Sequence, residues 1–257
     1  YDWEMAGLAA LSGLQARPLP SERGCLDVER AEATLRPAGG FKPACRLLIV
    51  ENTHNFHGGA VVPLAHLGAL REVATARGAR VHLDGARIWN AAEASGTPLE
   101  AYGRVADTLM VCLSKGLGAP VGSLLIGDAA LIAEAREVRK LLGGGMRQVG
   151  VLAAPAQVAL REGRARLARD HARALRLAEG LTAHAGVSLP HGPVQTNIVI
   201  VELEGRDAAA AVRAMADSAV LAVPAGPSTI RFVTYHGVED RDVDRALEVF
   251  GDALRAG

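Results

Sequence analysis

From residue 45 onward the spacing of apolar positions switches repeatedly between strand-like and helix-like patterns. "CRLLIVEN" (45–52) is a short continuous apolar run, as in a strand covered on both faces. "PLAHLGALREVATARG" (63–78) then places apolar residues at helical spacing, with Pro63 as a start signal and Gly78 as a stop. "ARVHLDG" (79–85) and "DTLMVCLSKG" (107–116) predict two more strands, separated by the helical "ARIWNAAEASG" (86–96). "VGSLLIGD" (121–128) predicts a strand reached through a tight turn, so nothing requires it to be parallel to its predecessor. "AALIAEAREVRKLLGGG" (129–145) is an amphipathic helix ending in three glycines. This β-α-β-α-β order predicts an α/β fold, a doubly wound and mainly parallel sheet with helices on both faces.

A long arginine-rich helical region, residues 151–180, leads to a different pattern. "TNIVIVELEG" (196–205), "AVLAVPA" (219–225) and "TIRFVTYHG" (229–237) predict strands. "DAAAAVRAMADS" (207–218) and "DRDVDRALEVFGDALRAG" (240–257) predict helices. The expected division is a large domain over 1–165 and a smaller α+β domain over 166–257.

Composition narrows the function classes. The 257 residues suit one large domain or two unequal ones, and 29 glycines agree with many tight turns between elements. Lysine plus arginine equals aspartate plus glutamate, 28 each, which argues against nucleic-acid and anionic-membrane partners. No apolar run reaches the roughly 18 residues a membrane helix needs. Cys25, Cys45 and Cys112 lack metal-like spacing and read as reduced thiols of an intracellular, cytoplasmic protein. The helix-capable start "YDWEMAGLAALSG" is neither a signal nor a transit peptide. It lacks an initiator methionine, so a processed or truncated product is expected and a targeting segment upstream is allowed for.

In open α/β sheets, ligands bind beyond the carboxyl ends of the strands. "ENTHNFHGG" (51–59), "DGAR" (84–87) and Ser114-Lys115 all fall at that edge. Alone, Asp84 reads as an N-cap for the next helix and Lys115 as a loop lysine. Together they suit pyridoxal 5′-phosphate, which needs a lysine amine for a Schiff base and a carboxylate to keep its ring nitrogen protonated. A lysine shielded by apolar strands makes a usable nucleophile. "GLGAPVG" (116–122) fails as a dinucleotide loop, because a strand follows it and Pro120 interrupts it. His54 with His57, or His82 with Asp84, lacks a third ligand at metal spacing, and His82 reads as a packed, hydrogen-bonded histidine.

With these residues assembled, the chain resembles the low-specificity L-threonine aldolases, pyridoxal-phosphate enzymes of fold type I. The motifs are "ENTHN" (51–55), "HLDGARIWNAA" (82–92), "CLSKGLGAPVGS" (112–123) and "RKLLGGGMRQVGVLAA" (139–154), extended by "QTNIV" (195–199) and "IRFVT" (230–234). The resemblance implies that Lys115 binds the cofactor covalently, beside Ser114, and that Asp84 pairs with the pyridine nitrogen. It implies that Arg87 lies beside cofactor and substrate carboxylate, and that Arg231 holds that carboxylate, a role suited to a bidentate cation. Lys140 and Arg147 match basic residues that reach a cofactor across the subunit interface of a homo-oligomer, a dimer of dimers. Arg147 could also simply cap carbonyls near the glycine turn. The implied reaction cleaves threonine or allo-threonine, small amino acid substrates, to glycine and acetaldehyde, with His54 as a candidate base. Alternatives are another lyase of the same fold acting on β-substituted amino acids, or a partial relative serving as a structural subunit. The family's phosphate loop and ring-stacking histidine lie N-terminal to the segment matched here.

Overall fold

The structure is a computed structural model, and it describes residues 3–39 and 41–256. Tyr1, Asp2, Gly40 and Gly257, which fall within stretches read above, lie outside the described residues. The amino-terminal stretch holds a single helical turn, α1 (Gly7–Ala10), then a hairpin of β1 (Ser21–Glu22) and β2 (Cys25–Leu26). Helix α2 (Val28–Thr34) follows, its first turn capped by Asp27, which accepts from the Arg30 N–H at 3.0 Å.

The expected alternation then unfolds: β3 (Leu47–Glu51), α3 (Leu64–Ala76), β4 (Arg80–Gly85), α4 (Ile88–Ser95), α5 (Leu99–Arg104), β5 (Thr108–Cys112), β6 (Ser123–Ile126) and α6 (Ala129–Leu141). β3, β4 and β5 pair in parallel, and β6 closes the sheet antiparallel to β5. Its short turn leaves no room for the crossover a parallel partner needs. Along β3 and β4 burial alternates. Leu48, Val50, Val81 and Leu83 point into a core shared with Leu67 and Leu70 of α3 and Ile88 of α4. The opposite face carries Leu47 and Ile49, both exposed. β6 is exposed throughout, and no residue of α6 is buried.

The arginine-rich region is two helices rather than one, α7 (Gly150–Glu162) and α8 (Leu167–Thr182), broken at Gly163 and a 3-10 turn over Arg164–Arg166. A Cβ on Gly163 would lie 2.5 Å from the carbonyl oxygens of both Leu117 and Ala159, so only glycine permits this approach. The remainder comprises β7 (Val187–Ser188), β8 (Ile198–Leu203), α9 (Ala208–Asp217), β9 (Val223–Pro224), β10 (Thr229–Val233) and α10 (Asp240–Ala256). Its antiparallel sheet, in the order β7-β8-β10-β9, shares a second core with α8, α9 and α10. The strand expected over 219–225 shrinks to Val223–Pro224, because proline gives no N–H to a ladder. Among the described residues no helix is long and apolar enough to cross a membrane, and all three cysteines are free.

Candidate active site

Strand register brings the first two motifs together. Glu51 ends β3 opposite Asp84 of β4, which stands opposite Met110 of β5. Asp84 is not the cap of α4; that position belongs to Arg87. The chain turns first at Gly85, whose added Cβ would lie 2.7 Å from the Met110 carbonyl oxygen. Asp84 Oδ1 accepts from the Ala86 N–H at 3.0 Å, and Oδ2 has no hydrogen-bond partner among the described residues. One carboxylate oxygen is therefore free for a ligand.

Lys115 stands in the turn between β5 and β6. The turn is pinned by three main-chain bonds of 2.9 Å: Leu113 N–H to Gly122, Gly118 N–H to Lys115, and Ala119 N–H to Leu113. Beneath it Leu113, Leu117 and Ala119 are buried with Ala156 and Ala159 of α7. The shielding expected for the amine is not seen. Lys115 and Ser114 are exposed, because the turn lifts both above this apolar platform. Ser114 Oγ lies 3.3 Å from Cys112 Sγ, and Trp89 Nε1 donates to the Cys112 carbonyl at 3.1 Å, fixing the strand end.

Four charges gather here: Glu51, Asp84, Arg87 and Lys115. Burial pushes the Glu51 carboxyl up; the Asn55 N–H, Arg87 and Lys115 oppose that, while Asp84 adds to it. Burial lowers Arg87, against the pull of Glu51, Cys112 and Asp84. Arg231 arrives from β10 across the seam between the two cores and is lowered by burial and by Arg87. Its Nη2 donates to Asn55 Oδ1 at 2.8 Å, and its buried Nε has no partner among the described residues. Neither guanidinium forms an ion pair among the described residues. Two partly desolvated guanidiniums, neither engaged in an ion pair among the described residues, make a seat for an anion such as a carboxylate.

His54 borders this group, with Nε2 4.0 Å from Glu51 Oε2. Its ring stacks on His57 at 4.3 Å, and His57 meets His191 edge-on at 5.1 Å. Burial, with His191, lowers His54; burial, His54, His191 and Arg23 bring His57 to about 4. Among the described residues no three His, Cys, Asp or Glu side chains could hold a metal ion. His82 is tied to Thr108 Oγ1 through Nδ1 at 2.7 Å. Lys140, in the last turn of α6, and Arg147, beyond the glycine turn, are exposed, and no hydrogen bond or ion pair joins them to Lys115 among the described residues. Clefts of about 610 and 620 Å³ lie in the small sheet's edge and beside His57 and His191, neither lined by Lys115.

Sequence reading assigned no role to Glu51, Asn55, Asn90 or Asn197. Glu51 and Asn55 were visible within "ENTHN" at a strand end, and Asn90 and Asn197 within "HLDGARIWNAA" and "QTNIV", but nothing local shows that the last two meet, because they lie 107 residues apart.

Can this site take pyridoxal phosphate? The donor set fits: a free lysine amine, a carboxylate oxygen without a partner one strand away, and two unpaired guanidiniums. The fold and the site define a fold-type-I pyridoxal-phosphate enzyme. A family model described as β-eliminating lyase matches residues 1–204. Low-specificity L-threonine aldolase 1 of Arabidopsis thaliana is 38% identical over 258 residues, covering 98% of this chain and 72% of its own length. The low specificity L-threonine aldolase of Escherichia coli K12 is also 38% identical, covering 91% and 68%. The solved threonine aldolase of Leishmania major superposes with a TM-score of 0.77 at 20% identity, covering 96% of this chain and 75% of that one. The chain belongs to the β-eliminating lyase family and, within it, groups with the low-specificity L-threonine aldolases.

Proposed function

We propose that this protein is a pyridoxal-phosphate-dependent lyase that cleaves threonine or allo-threonine to glycine and acetaldehyde. The observation that carries this reading is that Asp84, near the end of β4, and Lys115, just past the end of the adjacent parallel β5, stand with Arg87 within electrostatic reach of Glu51. When bound, the cofactor supplies an electron sink for the pair left on the substrate's α-carbon. Lys115 would supply the amine that holds the cofactor covalently. Asp84, through its unpartnered Oδ2, would hold the ring nitrogen in its protonated form, and Ser114 would lie next to the lysine in the same turn. Arg87 and Arg231 seat the α-carboxylate, which fixes the bond between α- and β-carbons for cleavage. His54, kept neutral by burial, takes the β-hydroxyl proton as the aldehyde leaves. The division into a cofactor domain over 1–165 and a smaller one over 166–257 is supported by the two separate cores. Exposed Lys140 and Arg147 fit a role in a second subunit's site, and the bare apolar β6 fits a homo-oligomer.

The test is a visible absorbance scan of the purified chain with added pyridoxal phosphate, paired with acetaldehyde release from threonine. Lys115→Ala should abolish the cofactor band, and a band that persists refutes the role of Lys115. A lysine-dependent band without acetaldehyde moves the assignment to another lyase of the family.

A further inference from the structure

We propose that Asn55 is the positioning residue for Arg231, a neutral acceptor that aims the guanidinium at the substrate carboxylate without cancelling its charge. This rests on the reading above that Arg231 binds the carboxylate. Arg231 belongs to the small antiparallel sheet, whereas Lys115 and Asp84 belong to the parallel one. A long, flexible side chain reaching across that seam needs a fixed contact to present a bidentate face. Asn55 Oδ1 supplies it, accepting from Nη2 at 2.8 Å.

Asn55 is itself held from several sides. Its main-chain N–H donates to Glu51 Oε1 at 3.0 Å. Asn52 closes the loop behind it, donating to the Val62 carbonyl and accepting from the Val62 N–H, both at 3.1 Å. The Asn52 N–H donates to the Asp84 carbonyl at 2.9 Å, so loop 52–62 is fastened to the residue proposed to hold the cofactor ring. On its far side, Thr196 Oγ1 donates to the Gly59 carbonyl and the Val61 N–H donates to Gln195 Oε1, each at 2.8 Å. The loop thus spans a set distance between the ring's carboxylate partner and the carboxylate-binding arginine. An aspartate at 55 would form an ion pair with Arg231 and compete with the ligand; an amide oxygen does not. The raised carboxyl of Glu51 agrees with a group kept here for position against its own burial.

The experiment titrates the cofactor-loaded full chain with glycine, which carries an α-carboxylate, and with ethylamine, which does not, following the cofactor's absorbance. Asn55→Ala should weaken glycine about 10-fold, the loss of one hydrogen bond to a charged group, and leave ethylamine within about 2-fold. Asn55→Asp should weaken glycine at least as much, again with ethylamine unchanged. The ethylamine titration and the cofactor band show that each variant is folded. Glycine affinity unchanged in both variants, or equal losses for glycine and ethylamine, overturns the inference. Arg231→Ala separates the two levels. If it weakens glycine selectively while Asn55→Ala does not, only the role of Asn55 falls. If Arg231→Ala is not selective, the carboxylate assignment falls and this inference with it.

Discussion

The side-chain amide of Asn90, on α4, donates to His171 Nε2 on α8 at 3.0 Å and to Asn197 Oδ1 beside β8 at 3.2 Å. Asn197 in turn donates to the Thr234 carbonyl at 2.8 Å, so a chain of amides crosses the seam between the two cores. A ring nitrogen that accepts is unprotonated, and burial brings His171 down to about 4. Unfolded histidine titrates near 6.5. The unfolded chain therefore binds more protons between those values, so stability is fully present above about pH 6.5 and falls as pH drops toward 4. Thermal midpoints measured from pH 7 to 4.5 should decline, and His171→Gln should flatten part of that decline. His57 titrates over the same window and accounts for some of the remainder.

Glu51 sits at the candidate site against its own desolvation. Its raised carboxyl means that its contribution to stability is present below its usual titration range and is lost as pH rises through the raised one. Glu51→Gln keeps an oxygen for the Asn55 N–H and removes the buried charge. The variant should melt above the parent at pH 7, by about 2–4 °C per kcal/mol gained. The difference should shrink near pH 4, which differential scanning calorimetry would detect.

Asp107 fastens the start of β5 to its neighbours. It accepts from the Val81 N–H at 2.7 Å and pairs with Arg71 of α3 and with Arg80. Burial alone would raise this carboxyl, but bonds from Arg71, Val81 and Arg80 outweigh that and hold it at about 2. Asp107→Ala should cost about 1–3 kcal/mol by leaving a strand N–H unpaired, seen as a lower urea midpoint. The same stability, present above about pH 4, should be lost in the parent as pH falls toward 2.

Gly163 lets α7 end against the turn that carries Lys115. Gly163→Ala places a methyl where two carbonyl oxygens already stand and must push the platform under Leu117 away. We expect a loss of about 1–3 kcal/mol, typical of overpacking, together with faster loss of cofactor on dialysis. Gly78→Ala, at a helix end with open space around it, should cost stability by its positive φ while leaving cofactor retention unchanged.

The alternation of short apolar runs with helical spacing made the parallel sheet legible, since β3, β4 and β5 each ended where the motif residues began. Local signals failed where tertiary contact decides. Asp84 looked like a helix cap because aspartate before a helix usually is one, yet the close passage at Gly85 shifts the cap to Arg87. Helix α5 is too short to show a period, and hairpin β1–β2 pairs only two residues per strand. Lys115 was expected in shelter because its neighbours in sequence are apolar, but those neighbours turn down and the lysine turns up. Arg231 could be placed by its motif alone. Nothing near it in sequence announces Asn55, which lies 176 residues away.

That separation has a kinetic side. The turn bearing Lys115 closes between Cys112 and Ser123, paired residues only 11 apart (123 minus 112), whereas the Asn55–Arg231 contact spans 176. In an unstructured chain, a sixteen-fold longer loop costs roughly 2.5 kcal/mol more to close. During refolding the Leu113, Gly118 and Ala119 amides of the turn bearing Lys115 should therefore gain hydrogen-exchange protection early, and the Asn55–Arg231 contact should form late. An incompletely folded molecule would hold the lysine turn in place before the proposed carboxylate site had been joined to it.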